Sequence, residues 1–222
     1  MNLEIYLVRH GRTVFNTIGR LQGWSDSPLT QEGIAVAENL GKGLKRRGIK
    51  FDAAFSSPTT RAVETARLVL DQSGQNSLPI ATIADLREYS FGGWEGELTN
   101  VVQSRIAAAR GLRSIDEWLD LYRHGDHNLM AESVSSMDEM KLAETEVQFV
   151  GRLQRGMAQV VEQSPENSRV LVVSHGMSIT AILKSIDPNC TLYQSVPNAS
   201  VSRLICKNGK WVINAVGDTS FN

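Results

Sequence analysis

Two histidines stand in the same local pattern in this sequence, and their side chains could act together on an anion. One follows Leu3 to Val8 in Arg9-His10-Gly11, and the other follows Val170 to Val173 in Ser174-His175-Gly176. Imidazole suits nucleophilic or proton-transfer work near neutral pH, and an adjacent arginine supplies a permanent charge and donors that fit phosphate or carboxylate oxygens. A single histidine after a strand is usually structural, whereas two in the same setting favour a shared anion site.

The elements before these histidines are predicted to be core strands. Leu3 to Val8 is rich in apolar and β-branched residues, and Arg169 to Val173 is a run of the kind found in strands covered on both faces. In open α/β sheets, ligands bind at the carboxyl ends of the strands, and a glycine there lets the ligand approach closely. We therefore expect His10 and His175 to meet at one edge of a sheet.

The order of strand and helix signals predicts an α/β fold. A helix is expected from an N-cap at Thr30, another after Ser56-Ser57-Pro58, and a third after His175. Asn208-Gly209 between two apolar runs predicts a C-terminal hairpin. We expect residues 1–222 to form a single domain, a doubly wound three-layer α/β/α sandwich whose mostly parallel sheet has this hairpin at its edge.

The pattern changes between Thr99 and about Asp138, where a helical insertion is predicted. Helical segments at residues 101–109 and 115–122 precede a polar stretch from His124 to Ser136 with no clear strand signal. The insertion is expected to form a lid or side wall of the substrate pocket. A long helix is predicted after it, from about Met137 to Gln163.

Two further side chains could complete a phosphoryl-transfer site. Arg61 falls in the first turn of a helix, where the helix dipole disfavours a cation unless an anion faces it, although a solvated arginine is the alternative. Glu88 follows a predicted strand at Ile80 to Ile83 and could act as a general acid if its surroundings raise its pKa, or it could be a surface residue. Phosphoryl transfer needs a nucleophile, positive charge around the oxygens and an acid for the leaving group.

The composition shows no general attraction to nucleic acid or to an anionic membrane. The 222 residues include 41% hydrophobic and 21% charged residues, and 23 basic against 24 acidic residues give a formal net charge of −1. No secretory signal or membrane-spanning run is found, so a cytoplasmic location and no membrane partner are expected.

Potential metal ligands and reactive thiols are sparse. Cys190 and Cys206 form neither a disulfide framework nor a metal cluster, and we expect inert thiols. His124 and His127 flank a glycine and an aspartate on a polar loop, which is more typical of solvated side chains than of a metal site.

These landmarks together resemble the histidine phosphatase superfamily, in the branch that includes cofactor-dependent phosphoglycerate mutases and related small-molecule phosphatases. The resemblance spans residues 3 to about 185, except for the stretch from Thr99 to Ser136. The residues that carry it are Arg9-His10-Gly11, Thr13, Asn16, Leu21-Gln22-Gly23-Trp24, Pro28-Leu29-Thr30, Gly33, Ser56-Ser57-Pro58, Arg61, Thr65-Ala66, Leu86, Glu88, Gly92, Trp94-Glu95-Gly96 and Val173-Ser174-His175-Gly176.

The resemblance implies a catalytic role for five residues. His10 would be the nucleophile that becomes phosphorylated and then loses the group to water. Arg9, Arg61 and His175 would hold the phosphoryl oxygens, and Glu88 would protonate the leaving alcohol and later deprotonate water. No metal ion or other cofactor is implied, because two arginines and an imidazolium supply the positive charge.

Four more residues would bind the substrate if the resemblance holds. Asn16 and the backbone N–H of Gly176 would join the groups around the phosphoryl oxygens, while Gln22 and Gly23 would close over the phosphate. The expected partner is a small-molecule phosphate ester.

Departures from the family pattern favour hydrolysis over group transfer to a second acid. Family mutases carry a Tyr three positions after the acid, a Lys eleven after it and a later Arg-Arg-Tyr; here the first two positions hold Phe91 and Thr99, and no Arg-Arg-Tyr occurs. Arg105, Arg110 and Arg113 lie in the corresponding region, but solvated helix charges are the simpler explanation. Arg12 stands where an acidic residue is commoner in the family.

The expected function is thus a metal-independent phosphomonoesterase with a phosphohistidine intermediate on His10. One alternative is a cofactor-dependent phosphoglycerate mutase that uses the same nucleophile. Another is a protein that binds a phosphorylated ligand without catalysis.

Overall fold

A six-stranded sheet forms the centre of the protein, as seen in a computed structural model that describes residues 2–222. Its strands are β1 (Asn2–Arg9), β2 (Ala53–Ser56), β3 (Ile80–Thr82), β4 (Ser168–Ser174), β5 (Val201–Lys207) and β6 (Lys210–Asp218). They lie in the order β3-β2-β4-β1-β5-β6. The first four strands are parallel to one another, β5 is antiparallel to β1, and β6 is antiparallel to β5. The predicted α/β fold with a hairpin at the sheet edge is confirmed.

The register of the central strands determines where the two histidines leave the sheet. β1 and β4 are parallel neighbours, and Arg9 pairs with Ser174. On the other side of β4, Ser56 pairs with Val173. Because each strand ends at its paired position, His10 and His175 emerge side by side at the carboxyl edge.

Helices cover both faces of the sheet. Since strand side chains alternate between faces, Leu3, Ile5 and Leu7 of β1 pack on one side and Tyr6 and Val8 on the other. The helices are α1 (Val14–Ile18), α2 (Gln31–Arg46), α3 (Thr60–Gln72), α4 (Thr99–Ala109), α5 (Ile115–Arg123), α6 (Leu129–Met137), α7 (Glu146–Gln163) and α8 (Gly176–Ile186). Helices α2 and α3 cover the Tyr6 face, and α4 to α8 cover the Leu3 face. Within residues 2–222, none of the helices combines the length and apolar character that crossing a membrane requires.

The C-terminal hairpin forms at the predicted turn. Asn208 and Gly209 have φ values of 50° and 75° and connect β5 to β6. A two-residue turn with both residues in the left-handed region matches the right-handed twist of the strands it joins, which explains the Asn-Gly preference.

The region before α7 differs from the sequence prediction. The long helix begins at Glu146 and the predicted start at Met137 is wrong, because the carboxylate of Asp138 accepts hydrogen bonds from three backbone N–H groups of the following segment, at 2.8 to 3.2 Å. An acidic side chain that binds nearby N–H groups competes with the helical bonding pattern. Thr145 then caps α7 through a capping box.

Two short helices lie in stretches for which no helix was predicted. The polar stretch from His124 to Ser136 contains most of α6, which Asn128 caps by accepting a hydrogen bond from a first-turn N–H. Helix α1 lies soon after Arg9-His10-Gly11, and Thr13 caps it.

Gly33 provides a test of the packing beside the first histidine. A β-carbon on Gly33 in α2 would lie 2.1 Å from the carbonyl oxygen of Arg12, whereas one on Gly151 in α7 would have no heavy atom within 4 Å. Gly33→Ala should therefore lower the free energy of unfolding by about 1 to 3 kcal/mol. Gly151→Ala, which gains only helix propensity, should raise it by up to about 1 kcal/mol. Urea unfolding measures both changes, and equal effects at the two positions would contradict the close contact.

Candidate active site

His10 and His175 lie together at the carboxyl edge of the sheet. Their ring centroids are 5.3 Å apart with the rings edge to face at 63°, and the two side chains are 3% and 0% exposed. The structure thus brings together the two imidazoles that the strand pattern placed at one edge.

The hydrogen bonding of His10 identifies which ring nitrogen can react. Its Nδ1 lies 2.7 Å from the carbonyl oxygen of Gly11, and because a carbonyl only accepts, Nδ1 carries the proton and Nε2 keeps its lone pair. Burial, with the nearby charges of Arg61 and Arg9, holds the pKa of His10 well below its usual value of 6.5. At neutral pH His10 is therefore an uncharged base with a free Nε2, the form that a nucleophile needs.

His175 is oriented by Ser57, at the end of the neighbouring strand β2. The Nε2 atom lies 2.7 Å from the hydroxyl oxygen of Ser57, while Nδ1 is buried without a hydrogen-bond partner in residues 2–222. When the hydroxyl donates to Nε2, the proton sits on Nδ1 and is available to a bound acceptor. Burial, and then the charge of Arg61, also lowers the pKa of His175 well below 6.5, so His175 is neutral before a ligand binds and not the imidazolium that the resemblance implied.

Arg61 is fully buried, and the loop after α1 holds one side of its guanidinium. Nη1 donates to the carbonyl oxygen of Ser25 and to Oδ1 of Asp26, both at 2.9 Å, and Nη2 donates to the carbonyl oxygen of Gly23 at 2.7 Å. The ion pair with Asp26 offsets the cost of burying the charge. Arg61 is not the solvated helix charge that the sequence left as an alternative.

Arg9 approaches the same space from the end of β1. Its Nη1 donates to the carbonyl oxygen of Val196 at 2.6 Å. Burial lowers the pKa of Arg9 to about 10; the carboxylate of Glu88 opposes this shift, and the charge of Arg61 reinforces it. Arg9 remains charged at neutral pH.

Unpartnered polar atoms concentrate at this site. Eight buried side-chain nitrogen or oxygen atoms in residues 2–222 lack a hydrogen-bond partner, and four of them belong to residues that the sequence assigned to the site. These are Nε of Arg9, Nε2 of Gln22, Nε of Arg61 and Nδ1 of His175. Because an unpaired buried donor costs free energy, four at one site indicate a place that an acceptor-rich anion completes.

Glu88 lies beside the first turn of α8 and is 6% exposed. Its Oε1 accepts hydrogen bonds from the N–H of Tyr89 and from the N–H and hydroxyl of Ser178, and its Oε2 accepts one from the N–H of Met177, all at 2.9 Å. These donors hold the carboxylate in one orientation, and Oε2 keeps a lone pair for a substrate oxygen or water. Glu88 is therefore not a solvated surface residue.

The contacts of Asn16 and Gln22 orient their amide groups. The Oδ1 of Asn16 accepts from the N–H of Thr13 at 3.2 Å, and Oε1 of Gln22 accepts from the hydroxyls of Ser27 at 2.5 Å and Thr13 at 3.2 Å. In both residues the oxygen is bound within the protein, so the NH₂ group is the end left to donate to a ligand.

The two glycines of the predicted site have different surroundings. The N–H of Gly23 donates to Glu95 at 3.1 Å and its carbonyl accepts from Arg61, so in this conformation Gly23 supports the guanidinium. Gly176 begins α8, where a β-carbon would lie 2.4 Å from Oγ of Ser195 and 3.2 Å from Cζ of Arg9. Since the next two N–H groups of α8 are bound to Glu88, the Gly176 N–H is the donor at this helix end that remains for an anion.

Sequence reasoning gave no role to Glu95, although Trp94-Glu95-Gly96 was among the recognised landmarks. Its carboxylate accepts hydrogen bonds from the N–H groups of Gly23, Trp24 and Ser25, at 2.8 to 3.1 Å. Glu95 therefore holds the loop whose carbonyl groups bind Arg61.

Sequence reasoning also missed the segment before β5. Val196 accepts from Arg9, Asn198 donates from Nδ2 to the carbonyl of His10 at 2.9 Å, and the N–H of Ala199 donates to the carbonyl of Arg9 at 3.0 Å. Ala199 adopts a φ of 53°, in the left-handed region that a β-carbon disfavours. All three of these contacts end on a backbone carbonyl group, which no pattern of residue types reveals.

The other histidines and the cysteines are outside this cluster. His127 contacts Asp126 and Glu132, each at 2.5 Å, and the hydrogen bonds from Glu132 and then Asp126 raise the pKa of His127. Across residues 2–222, no group of three or more His, Cys, Asp or Glu side chains is arranged to hold a metal ion. Cys206 is buried and Cys190 half-buried, both as free thiols.

Comparison with known proteins gives consistent matches along nearly the whole chain. The Histidine phosphatase superfamily (branch 1) profile matches residues 5–219. A 2,3-bisphosphoglycerate-dependent phosphoglycerate mutase of a Methylobacterium species is 33% identical over 206 residues, which is 89% of this chain and 90% of the relative. A solved phosphoglycerate mutase from Bacillus anthracis is 36% identical with a TM-score of 0.92, covering 99% of this chain and 95% of that one. Bacillus stearothermophilus YhfR is 25% identical with a TM-score of 0.78, covering 99% and 98%.

The neutral histidines predict a loss of stability in mild acid. Both pKa values lie below 6.5 in the folded protein, so the unfolded chain binds more protons as the pH falls through 6.5. Lowering the pH from about 8 to about 5.5 should reduce the free energy of unfolding by about 1 kcal/mol for each buried histidine. Urea unfolding at the two pH values measures the change. His10→Asn should reduce this pH dependence and His124→Asn, at an exposed position, should not; the same dependence in both variants would refute the assignment.

Proposed function

The chain belongs to the histidine phosphatase superfamily, as its motifs predicted, and on that premise we propose that it is a phosphomonoesterase acting on a small phosphorylated metabolite. The reaction passes through a phosphohistidine on His10 and needs no metal ion. The observation that carries this proposal is the set of four buried, unpartnered donors beside a neutral imidazole with a free Nε2.

In the first step the phosphate group of the ester supplies the acceptors that the buried donors of the site lack. Its oxygens accept hydrogen bonds from Arg9, Arg61, Gln22 and His175, which offset the charge that develops on them. The lone pair of His10 Nε2 attacks phosphorus while the bond from phosphorus to the leaving oxygen breaks. Glu88, once its free Oε2 lone pair has taken up a proton, gives that proton to the leaving oxygen, so that an alcohol leaves.

In the second step water removes the phosphoryl group. Glu88, now a carboxylate, takes a proton from water as the water oxygen attacks phosphorus. The bond from phosphorus to Nε2 breaks, its electron pair returns to His10, and inorganic phosphate leaves. Both the donors and the acid are then restored.

The surroundings of the site support hydrolysis over transfer to a phosphorylated acid. Phe91 is 4% exposed and packs against the ring of Tyr89, with centroids 5.0 Å apart. Arg110 pairs with Glu132 and Arg113 pairs with Glu117, while Arg105 lies over the ring of Trp94. The basic residues that could have replaced the mutase clamp are thus engaged elsewhere, which favours water as the acceptor.

A phosphoglycerate mutase is the second candidate, and the relatives named above favour it. Two of them are described as phosphoglycerate mutases, at 33% and 36% identity. Such an enzyme would use the same phosphohistidine but return the group to a bound phosphoglycerate.

Replacement of the nucleophile and the acid tests the chemical roles. His10→Ala should abolish hydrolysis of p-nitrophenyl phosphate and the acid-labile labelling of the protein, whereas His124→Ala, at an exposed histidine, should preserve both. Glu88→Gln should reduce kcat/KM for alkyl phosphates about 10- to 100-fold more than kcat/KM for p-nitrophenyl phosphate, because kcat/KM reports the step in which the leaving group departs and only a poor leaving group needs the acid there. Steady-state kinetics measures both. Near-normal turnover by His10→Ala, or equal losses for Glu88→Gln, would contradict the respective role.

The two candidate functions differ in where the phosphoryl group goes. With 3-phosphoglycerate and a 2,3-bisphosphoglycerate primer, a phosphatase should release inorganic phosphate and a mutase should form 2-phosphoglycerate. We expect release of phosphate from at least one ester in a panel of phosphorylated metabolites and little isomerisation. Primer-dependent isomerisation faster than hydrolysis of any ester would establish the mutase instead, and phosphate binding without any turnover would favour a binding protein.

A further inference from the structure

Arg152 is a buried side chain of α7 that contacts the turn carrying Glu88. It is 7% exposed. Its Nη1 donates to the carbonyl oxygens of Asp85 and Arg87, both at 2.9 Å, and its Nη2 donates to the carbonyl oxygen of Glu88 at 3.0 Å. Three donors of one guanidinium thus bind the backbone of a four-residue turn that ends at the proposed acid.

The remaining donors of Arg152 bind Glu144, which reaches the same turn from its other side. Nε and Nη2 of Arg152 donate to the two carboxylate oxygens of Glu144, each at 2.7 Å. The same carboxylate accepts a hydrogen bond from the N–H of Ser90 at 2.9 Å. The ion pair therefore holds the backbone both before and after Glu88.

These contacts exceed what a buried ion pair needs for its own stability. Arginine has five N–H donors in a rigid planar fork, and here all five are used. Two would satisfy Glu144, whereas the other three bind successive parts of the acid turn. A lysine or an apolar side chain at this position could not reproduce that geometry.

We propose that Arg152 is a positioning residue that sets the place of the Glu88 carboxylate relative to the leaving oxygen. The proposal rests on the proposed function, in which Glu88 protonates that oxygen. The carboxylate oxygens of Glu88 are hydrogen-bonded to α8, and the backbone carbonyl of Glu88 is hydrogen-bonded to Arg152. The position of the carboxylate therefore depends on α8 and on Arg152 together. A shift of about 1 Å in an acid can cost on the order of 100-fold in rate.

The test compares esters with good and poor leaving groups. Arg152→Met should reduce kcat/KM for alkyl phosphates about 10- to 100-fold and kcat/KM for p-nitrophenyl phosphate by less than about threefold, because kcat/KM reports departure of the leaving group and only the alkyl esters need a well-placed acid there. Arg169→Met is the control, since Arg169 pairs with Glu4 at 2.7 Å near the opposite ends of β1 and β4. It should leave the ratio of the two rates unchanged.

A second variant is needed in case Arg152→Met does not fold because Glu144 has lost its partner. Glu144→Leu combined with Arg152→Met replaces the pair by apolar side chains and leaves no buried charge. It should show the same selective loss on alkyl phosphates. A folded double variant that keeps the wild-type ratio of rates would overturn the proposal.

The Glu88→Gln background shows whether Arg152 acts through the acid. There, Arg152→Met should reduce alkyl phosphate hydrolysis by less than about threefold, because the group it positions no longer transfers a proton. A full additional loss would show that Arg152 acts otherwise and would refute the positioning role. If the unmodified protein hydrolyses no ester, the proposed function fails. If Glu88→Gln loses both activities equally, the acid role of Glu88 fails. Both outcomes are distinct from an unchanged ratio of rates in the Arg152 variants, which refutes the positioning role alone.

Discussion

Burial of two guanidinium groups beside two imidazoles is the constraint on which the site depends. Like charges that lie close together repel, and burial removes the water that would screen them. Each group is accommodated in a different way. Asp26 pairs with Arg61, the carboxylate of Glu88 attracts the charge of Arg9 and so opposes the fall in its pKa, and the histidines stay neutral. The resulting excess of donors over acceptors is what a phosphate ester would satisfy.

Backbone carbonyl groups and acidic side chains around the site keep this arrangement rigid. Arg61 is held by the loop from Gly23 to Asp26, and Glu95 holds that loop through its N–H groups. Glu88 is held in a comparable way between α8 and Arg152. In both cases a second charged side chain, Glu95 or Arg152, binds the backbone around the first, so the position of each group depends on elements far apart in the chain.

The helical insertion contributes aromatic side chains to the core on the Leu3 face of the sheet. Trp118 and Tyr122 of α5 stack on each other, and Tyr193 stacks on Tyr122, with centroids 5.6 and 5.9 Å apart. Arg110 and Arg113 are neutralised by carboxylates of the same region.

The sequence by itself determined the family and the α/β fold, and it predicted the side chains that the structure brings together at the carboxyl edge. Apolar runs that end in His-Gly are local features, and so are the helix cap at Thr30 and the turn at Asn208-Gly209. Only the tertiary structure decided the start of α7, the tautomer of His10 and the contacts of Ser57, Glu95 and Arg152, because each depends on contacts between distant segments. Most of those contacts involve backbone N–H and carbonyl groups, which every residue carries and no residue type marks. The pKa values of the histidines also depended on the fold, since burial is a property of packing and not of composition.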